Sequence, residues 1–455
     1  MLKYITVIFF LGHFVAILAQ STTNTPFSSR GLGLHNVSRD PIQTALGRSS
    51  VAFNDTSALN LQNASSHFAL SKGNPLFSMA LSSNYSTFQE GDVTFSNNVV
   101  GIDHFVLAIP FSGKYGIAFG LTPYATRGYD LINTQAIDGD TLRYNYLGTG
   151  TISKAFVGLS YAPIIRDNFT WSIGSNLGYL FGRTANHRYA NLVSQTNNLG
   201  ESPGGIYIQS NRITSFHYDL STSLMYQFRE GRRINLSAVI TPSQNLKGSY
   251  SNEQYTSTTN VYNPSSYFEN FNSNFDNVVK SANKVALGLN YNYSFKRTSG
   301  KNKEFTSVLN TVVSFDSEQF SQMSQLDSLG NSVSMYNNDY SKVSLGFQYT
   351  PDRDFVANSI TNKFYQKIKY RVGVYAAKLP YSQNSEQLTQ FGTTFGFGIP
   401  VVTQFALSSF NFAFDLGQRG TGSPAALNEK YIGFHVGVVI SPSKADSWFR
   451  KLELD

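Results

Sequence analysis

The chain has 455 residues, a formal net charge of +7 and no cysteine, with charged residues and aromatics at 14% each. Soluble proteins carry about 25% charged residues, and the lack of Cys excludes disulfides, thiolate catalysis and Cys-based zinc sites. Basic residues cluster only at Arg229, Arg232 and Arg233 and at Lys296, Arg297, Lys301 and Lys303. They form no stripe with stacking aromatics, so nucleic acid is not an expected partner.

Residues 1–19 read as a secretory signal peptide: Lys3, an apolar run from Tyr4 to Leu18, and a small-residue cleavage site at Ala19. The run is shorter than the ~20 residues of a spanning helix. No Cys follows it, which excludes a lipoprotein. No later stretch is long and apolar enough to cross a membrane as a helix, so a membrane form must be a closed barrel. Residues 20–70 are polar, turn-rich and without strand periodicity. They are expected to form a hatch inside the barrel; the alternative is a tail in the periplasm.

Residues 71–442 alternate with period two. Phe169, Trp171, Ile173, Leu177, Tyr179 and Phe181 share one face, and Phe216, Tyr218, Leu220, Leu224, Tyr226 and Phe228 repeat it. Val285 to Phe295 and Phe410 to Leu416 do the same. Successive strand side chains point to opposite sides, so each segment has an apolar and a polar wall. The polar parity carries Asp219, Lys284, Lys342, Lys369, Arg371 and Asp415. A Lys or Arg facing mid-bilayer lipid would cost about 2–4 kcal/mol, so these side chains are expected to face the lumen.

The expected fold is all-β: a transmembrane antiparallel barrel of about 14 strands with the hatch in its lumen. The strands centre near Leu81, Leu107, Phe119, Leu159, Ile173, Leu220, Leu236, Leu289, Leu309, Leu345, Val372, Phe395, Phe412 and Val436. Tyr124–Ser153, Arg183–Ser215, Pro242–Asn283 and Asp316–Ser341 read as long outer loops. Short turns, the two basic clusters, both termini and a tail at 443–455 are expected on the periplasmic side of a bacterial outer membrane. Outer-membrane lipids and lipopolysaccharide are then the surrounding partners.

No constellation supports an enzyme. His217, Asp219, Ser221 and Ser223 lie two apart on one strand face, as parallel neighbours, and lack converging nucleophile, base and orienter. They read as lumen lining. The histidines have no metal-ligand spacing, and the Gly-rich pieces lack the strand–loop–helix context of a phosphate cradle. No cofactor or metal is expected.

The stretch Ala45-Leu46-Gly47-Arg48-Ser49-Ser50-Val51-Ala52, with Asp55 and Asn63-Ala64, resembles the N-terminal hatch of FadL-like barrels. It departs twice, with Arg48 where a second Gly is common and no Pro between Asn63 and Ala64. Three further motifs resemble FadL-like barrels of Bacteroidota, some of them plug subunits of the type nine secretion translocon. These are Pro26-Phe27-Ser28-Ser29-Arg30-Gly31-Leu32-Gly33, Gly417-Gln418-Arg419-Gly420-Thr421 and Trp448-Phe449-Arg450-Lys451. The resemblance makes Arg30, Gly31, Gly33, Gly47, Asp55 and Asn63 candidate hatch residues. It implies passive passage of a hydrophobic small molecule, with a lateral kink at Pro110 beside Gly116 and Gly120. Its other implication is an accessory or plug subunit docked to a larger secretion-translocon barrel.

Overall fold

The computed structural model describes residues 24–35, 40–70, 75–137, 140–193, 204–257, 261–299, 303–326, 330–354, 363–402 and 407–441. The expected signal peptide, the tail at 443–455 and Lys301 lie outside them.

Fourteen strands form the wall. They are β1 (Leu76–Glu90), β2 (Val93–Ser112), β3 (Tyr115–Thr126, continued by Tyr129–Ile137), β4 (Asp140–Ile165), β5 (Phe169–Leu192), β6 (Gly204–Arg229) and β7 (Arg232–Thr241, continued by Asn245–Ser257). They continue as β8 (Tyr267–Lys280, continued by Lys284–Ser299), β9 (Lys303–Glu318), β10 (Tyr340–Thr350), β11 (Lys369–Gln383), β12 (Glu386–Val402), β13 (Leu407–Gly420) and β14 (Asn428–Ile440). All neighbours pair antiparallel, and β14 closes on β1 from Phe77↔Ile440 to Gln89↔Asn428. Each of the fourteen expected centres falls in its own strand. No described helix is long and apolar enough to cross a membrane, whereas a closed barrel satisfies every backbone group without a helix.

The alternation fixes which side chains face lipid. In β6, Leu220, Leu224 and Tyr226 are exposed on the outside while Asp219, Ser221 and Ser223 are buried inside. A bulge breaks this rule in β2. Ala80 pairs with His104 and Leu81 with Ile102, so Asp103 is an extra residue in β2. Both Asp103 and His104 are therefore buried. Asp103 accepts from Ser82, and His104 meets Ser78.

Three of the four expected outer loops are instead strand. Arg183 to Asn191 pairs with Arg212 to Gly204, Tyr129–Ile137 pairs with Gly148 to Asp140, and Asn245–Ser257 pairs with Lys280 to Tyr267. These ladders stand beyond the bilayer. The 26 residues of β6 extend roughly 85 Å at 3.3 Å per residue, against about 30 Å of hydrocarbon. The inner face there is partly buried, by Ile206, Ile208 and Ile213 among others, but the outer face carries exposed polar residues such as Arg183, Arg212 and Lys247, so the lipid-facing apolar parity is absent. The fourth, Asp316–Ser341, holds among its described residues a 3-10 turn at Phe320–Gln322 and the short pair Ser324–Leu326 with Ser332–Ser334 between the ends of β9 and β10.

The chain before β1 packs in two layers. Residues 24–35 lie at the tall end, where Leu34 and His35 pair with Thr126 and Ala125 of β3. Phe27 and Leu32 join a cluster with Ile152, Leu180, Ile213, Phe320, Met323 and Tyr336. Residues 40–70 lie at the other end. Asn97 donates to the Asn24 carbonyl, towards the rim opposite Ile440.

Candidate functional site

The lumen is the site, and wall glycines shape it. A Cβ at Gly288 of β8 would stand 2.7 Å from the Ala52 nitrogen, and one at Gly437 of β14 2.9 Å from the Pro41 ring. Gly116, Gly158 and Gly174 meet residues 64–68 in the same way, while Gly346, Gly373 and Gly396 meet Ala45, Leu46 and Gly47. Residues 40–70 thus press their backbone against the inner wall from many directions. Gly47 is itself confined: its φ is +69°, and a Cβ there would lie 2.6 Å from the Val374 carbonyl.

Charged pairs tie this segment to the wall. Arg48 Nε donates to Asp415 of β13 at 2.8 Å, and its guanidinium lies 4.5 Å from the Tyr375 ring centre. Tyr375 also donates to Asp415, at 2.7 Å. Lys342 donates to the Arg48 carbonyl at 2.9 Å and pairs with Asp316 at 3.0 Å. Lys369 reaches Asp55 at 2.7 Å, and Arg371 holds Gln348 and Asn411. Arg48 adopts a φ of 57°, in the left-handed region that costs a non-Gly residue roughly 1–2 kcal/mol. The ion pair offsets that strain.

The sequence-predicted hatch residues divide between the two layers. Gly31 and Gly33 have positive φ. Arg127, buried in the lumen, donates to the Gly31 carbonyl, and Tyr336 and Tyr381 both donate to Gly33. Arg30 is exposed. Gly47 donates its N–H to Thr394 at 2.9 Å. Asn63 donates to Val51 and Ser223 and accepts from Ser65. Asp55 is buried, which opposes ionisation, but the Lys369 ammonium outweighs this and holds the carboxyl well below its usual range.

Pro110, Gly116 and Gly120 do not form a lateral opening here. β2 and β3 pair without a gap from Phe105↔Leu121 to Pro110↔Gly116, with an irregularity only at the adjoining turn. Gly116 is small for another reason, its contact with the His67 carbonyl.

Between the two layers lie two cavities of about 110 and 120 Å³, each lined by charged and apolar side chains together. His35, Gln62 and Glu318 border both. The second takes in His217, Asp219, Lys154 and Lys284, so three of the four predicted lumen residues share one chamber. Asp219 accepts from Asn176 at 2.9 Å. The fourth, Asp415, belongs to the Arg48 lattice. Arg48, Tyr375, Asp316 and Arg127 were not among the predicted site residues. Arg48 carried a signal all the same, as a cation where related hatches have glycine.

His67 gives a pH test. It is buried, and burial pulls its imidazole down to about 4. Its Nε2 lies 3.0 Å from the Asn60 carbonyl, so it packs neutral. Once exposed it would titrate near 6.5. Packing of residues 60–70 is therefore fully stabilised above about 6.5, and that stability falls as pH drops from there towards 4. The loss reaches at most roughly 3 kcal/mol. The protection factors over Asn63–Leu70, each taken relative to the intrinsic exchange rate at the same pH, should fall between pH 7 and 4.5, and His67→Gln should remove most of that fall. An unchanged profile in the variant would discard the assignment.

This architecture is shared with solved outer-membrane channels. The chain resembles the CymD monoaromatic hydrocarbon channel with a TM-score of 0.52 and 10% identity, over 89% of this chain and 97% of that one. The P. putida toluene transporter TodX gives 0.52 and 14%, over 88% and 97%. A Pseudomonas aeruginosa FadL homologue gives 0.50 and 11%, over 93% and 99%. Identities this low establish the fold alone. No curated protein matches the sequence. Fold and lumen together define an outer-membrane β-barrel of FadL-like architecture. The chain belongs to the BamG family, whose model matches residues 1–455.

Proposed function

We propose that this protein is an occluded outer-membrane barrel that works as an accessory subunit of a larger membrane assembly, and that its lumen is not a conduit in the resting state. The observation that carries this reading is the double closure of the lumen. Residues 40–70 are clamped by Arg48–Asp415 and Lys369–Asp55 at one end, and Phe27 and Leu32 sit in an apolar lid at the other. The space between them sets Arg48, Lys342, Lys154 and Lys284 beside apolar side chains such as Phe320, Leu379, Phe156 and Val239. Residues 20–70 act as the hatch domain in this reading. The turn at 113–114 and the end of β14 face the periplasm, and the tall sheet of β3 to β8 faces outwards.

The purified barrel should give no steady conductance in planar bilayers. Affinity purification from detergent-solubilised membranes should recover a larger barrel in stoichiometric amount. A second reading, passive transfer of a hydrophobic small molecule, is supported by the shared fold of the CymD and TodX channels. Recovery of the protein alone, with a hydrophobic molecule bound by mass spectrometry, would favour that reading and overturn the first.

A further inference from the structure

The wall has a seam. β6 pairs with β7 from Arg229↔Arg232 to Leu220↔Ile240 and resumes at Ile213↔Gly248. Residues 214–219 therefore have no ladder partner on that side. At the same height β7 and β8 are both interrupted, between Lys284↔Thr241 and Asn245↔Lys280. β8 also leaves β9 there, between Lys284↔Glu318 and the single pair Lys280↔Ser324. Main-chain bonds bridge the last two interruptions, from the Ser281 N–H to the Gln244 carbonyl at 2.9 Å and from the Gln319 N–H to the Asn283 carbonyl at 2.8 Å, which leaves the β6–β7 stretch as the seam.

Side chains replace the missing ladder. Gln244 accepts from the Tyr218 N–H and donates to the Tyr218 carbonyl, both at 2.9 Å. One amide so imitates the two-bond exchange of paired strands. Ser243 is held by Asn283 and Ser281. Outside the seam, Phe216 is 81% exposed and Tyr218 is also exposed, as at a membrane interface. Exposed Lys247 and Lys280 lie just beyond them. Water can reach ladder groups at this level, so a break is tolerated here that hydrocarbon would forbid. Inside the seam lies the second chamber, bordered by His217, Asp219, Thr241, Ser281, Ala282 and Lys284.

We propose that the β6–β7 seam is a side door to this chamber, latched by the Gln244 amide, through which water and small polar solutes pass between the outer face and the lumen. A latch made of two exposed amide bonds opens more readily than a ladder, because each is a weak bond in competition with water. The inference stands apart from the docking role proposed above, since it concerns the wall alone.

The chain has no cysteine, which makes the test clean. A single Cys in place of His217 reports the chamber behind the seam, and one in place of Thr44 reports the other cavity. The probe is a charged, membrane-impermeant maleimide applied to the folded barrel. Gln244→Ala should raise the alkylation rate of H217C at least tenfold and leave T44C unchanged. Gln244→Glu, which sets a carboxylate against the Tyr218 carbonyl, should act in the same direction and serves if the Ala variant does not assemble. Equal rates with and without the latch would overturn the proposal. So would equal acceleration at both cysteines, which would mean that the interior packing had loosened as a whole.

Discussion

Asp415→Ala should detach the first turn of the inner segment from the wall. Asp415 is buried and accepts from both Arg48 and Tyr375. Removing one partner of a buried pair costs about 3–5 kcal/mol, because the other charge is left uncompensated. The Arg48 side chain keeps 29% exposure, which places the loss near the lower bound, about 3 kcal/mol. That corresponds to roughly a hundredfold more frequent opening. Hydrogen exchange of residues 41–52 reads it directly. Arg48→Gly relieves the left-handed backbone but leaves Asp415, with a side chain 1% exposed, without its cation, so its effect should be of similar size. The double variant should exchange more slowly than Asp415→Ala. If Asp415→Ala exchanged at the parental rate, the lattice would hold nothing.

The largest effect is expected from Gly373→Val. The backbone of Leu46 and Gly47 occupies the space where a Cβ on Gly373 would go. Both sides of that contact are main chain and cannot swing away. Valine suits a strand, and the flanking outward residues Val372 and Val374 are unchanged, so the wall should still form. The inner segment should not fit, and the peptide bond after Arg48 becomes accessible. Limited trypsin digestion of the detergent-solubilised barrel should cut there in the variant and spare the parent, with the cut mapped by mass spectrometry. A resistant variant would show that the segment tolerates a side chain at its tightest contact.

The wall was legible in the sequence because lipid on one side and polar groups on the other impose a two-residue period. Leu220 against Asp219 and Ser221 is a local pattern that needs no knowledge of the fold. The same physics hid the tall sheet. Where Arg183 pairs with Arg212 and Ser249 follows, the outward side chains are polar and exposed, and the lipid-facing period vanishes though the ladder continues. The inward glycines were visible as small residues, but not what they make room for. Gly346 and Leu46 are three hundred positions apart, and only closure brings them together. The charges in the lumen were expected by parity, yet their pairing was not, because Asp415–Arg48 and Lys369–Asp55 join distant stretches. The proposed kink at Pro110 rested on proline's missing donor. Pro110 sits beside the turn at the end of the ladder, where that loss is absorbed, while the actual discontinuity occurs at Pro242 and Ser281, outside any single-residue signal.

The contact of Pro41 with Gly437 has a consequence for assembly. Gly437 lies on β14, the strand that joins β1 to complete the ring. Residues 41–52 are synthesised hundreds of positions before β14, yet they touch β8, β10, β11, β12, β13 and β14 from within. A finished cylinder offers no room to thread them in. The amino-terminal segment must therefore behave as a mandrel, waiting beside the growing sheet while the wall is wound around it, and the last strand to dock decides whether it is captured or left outside.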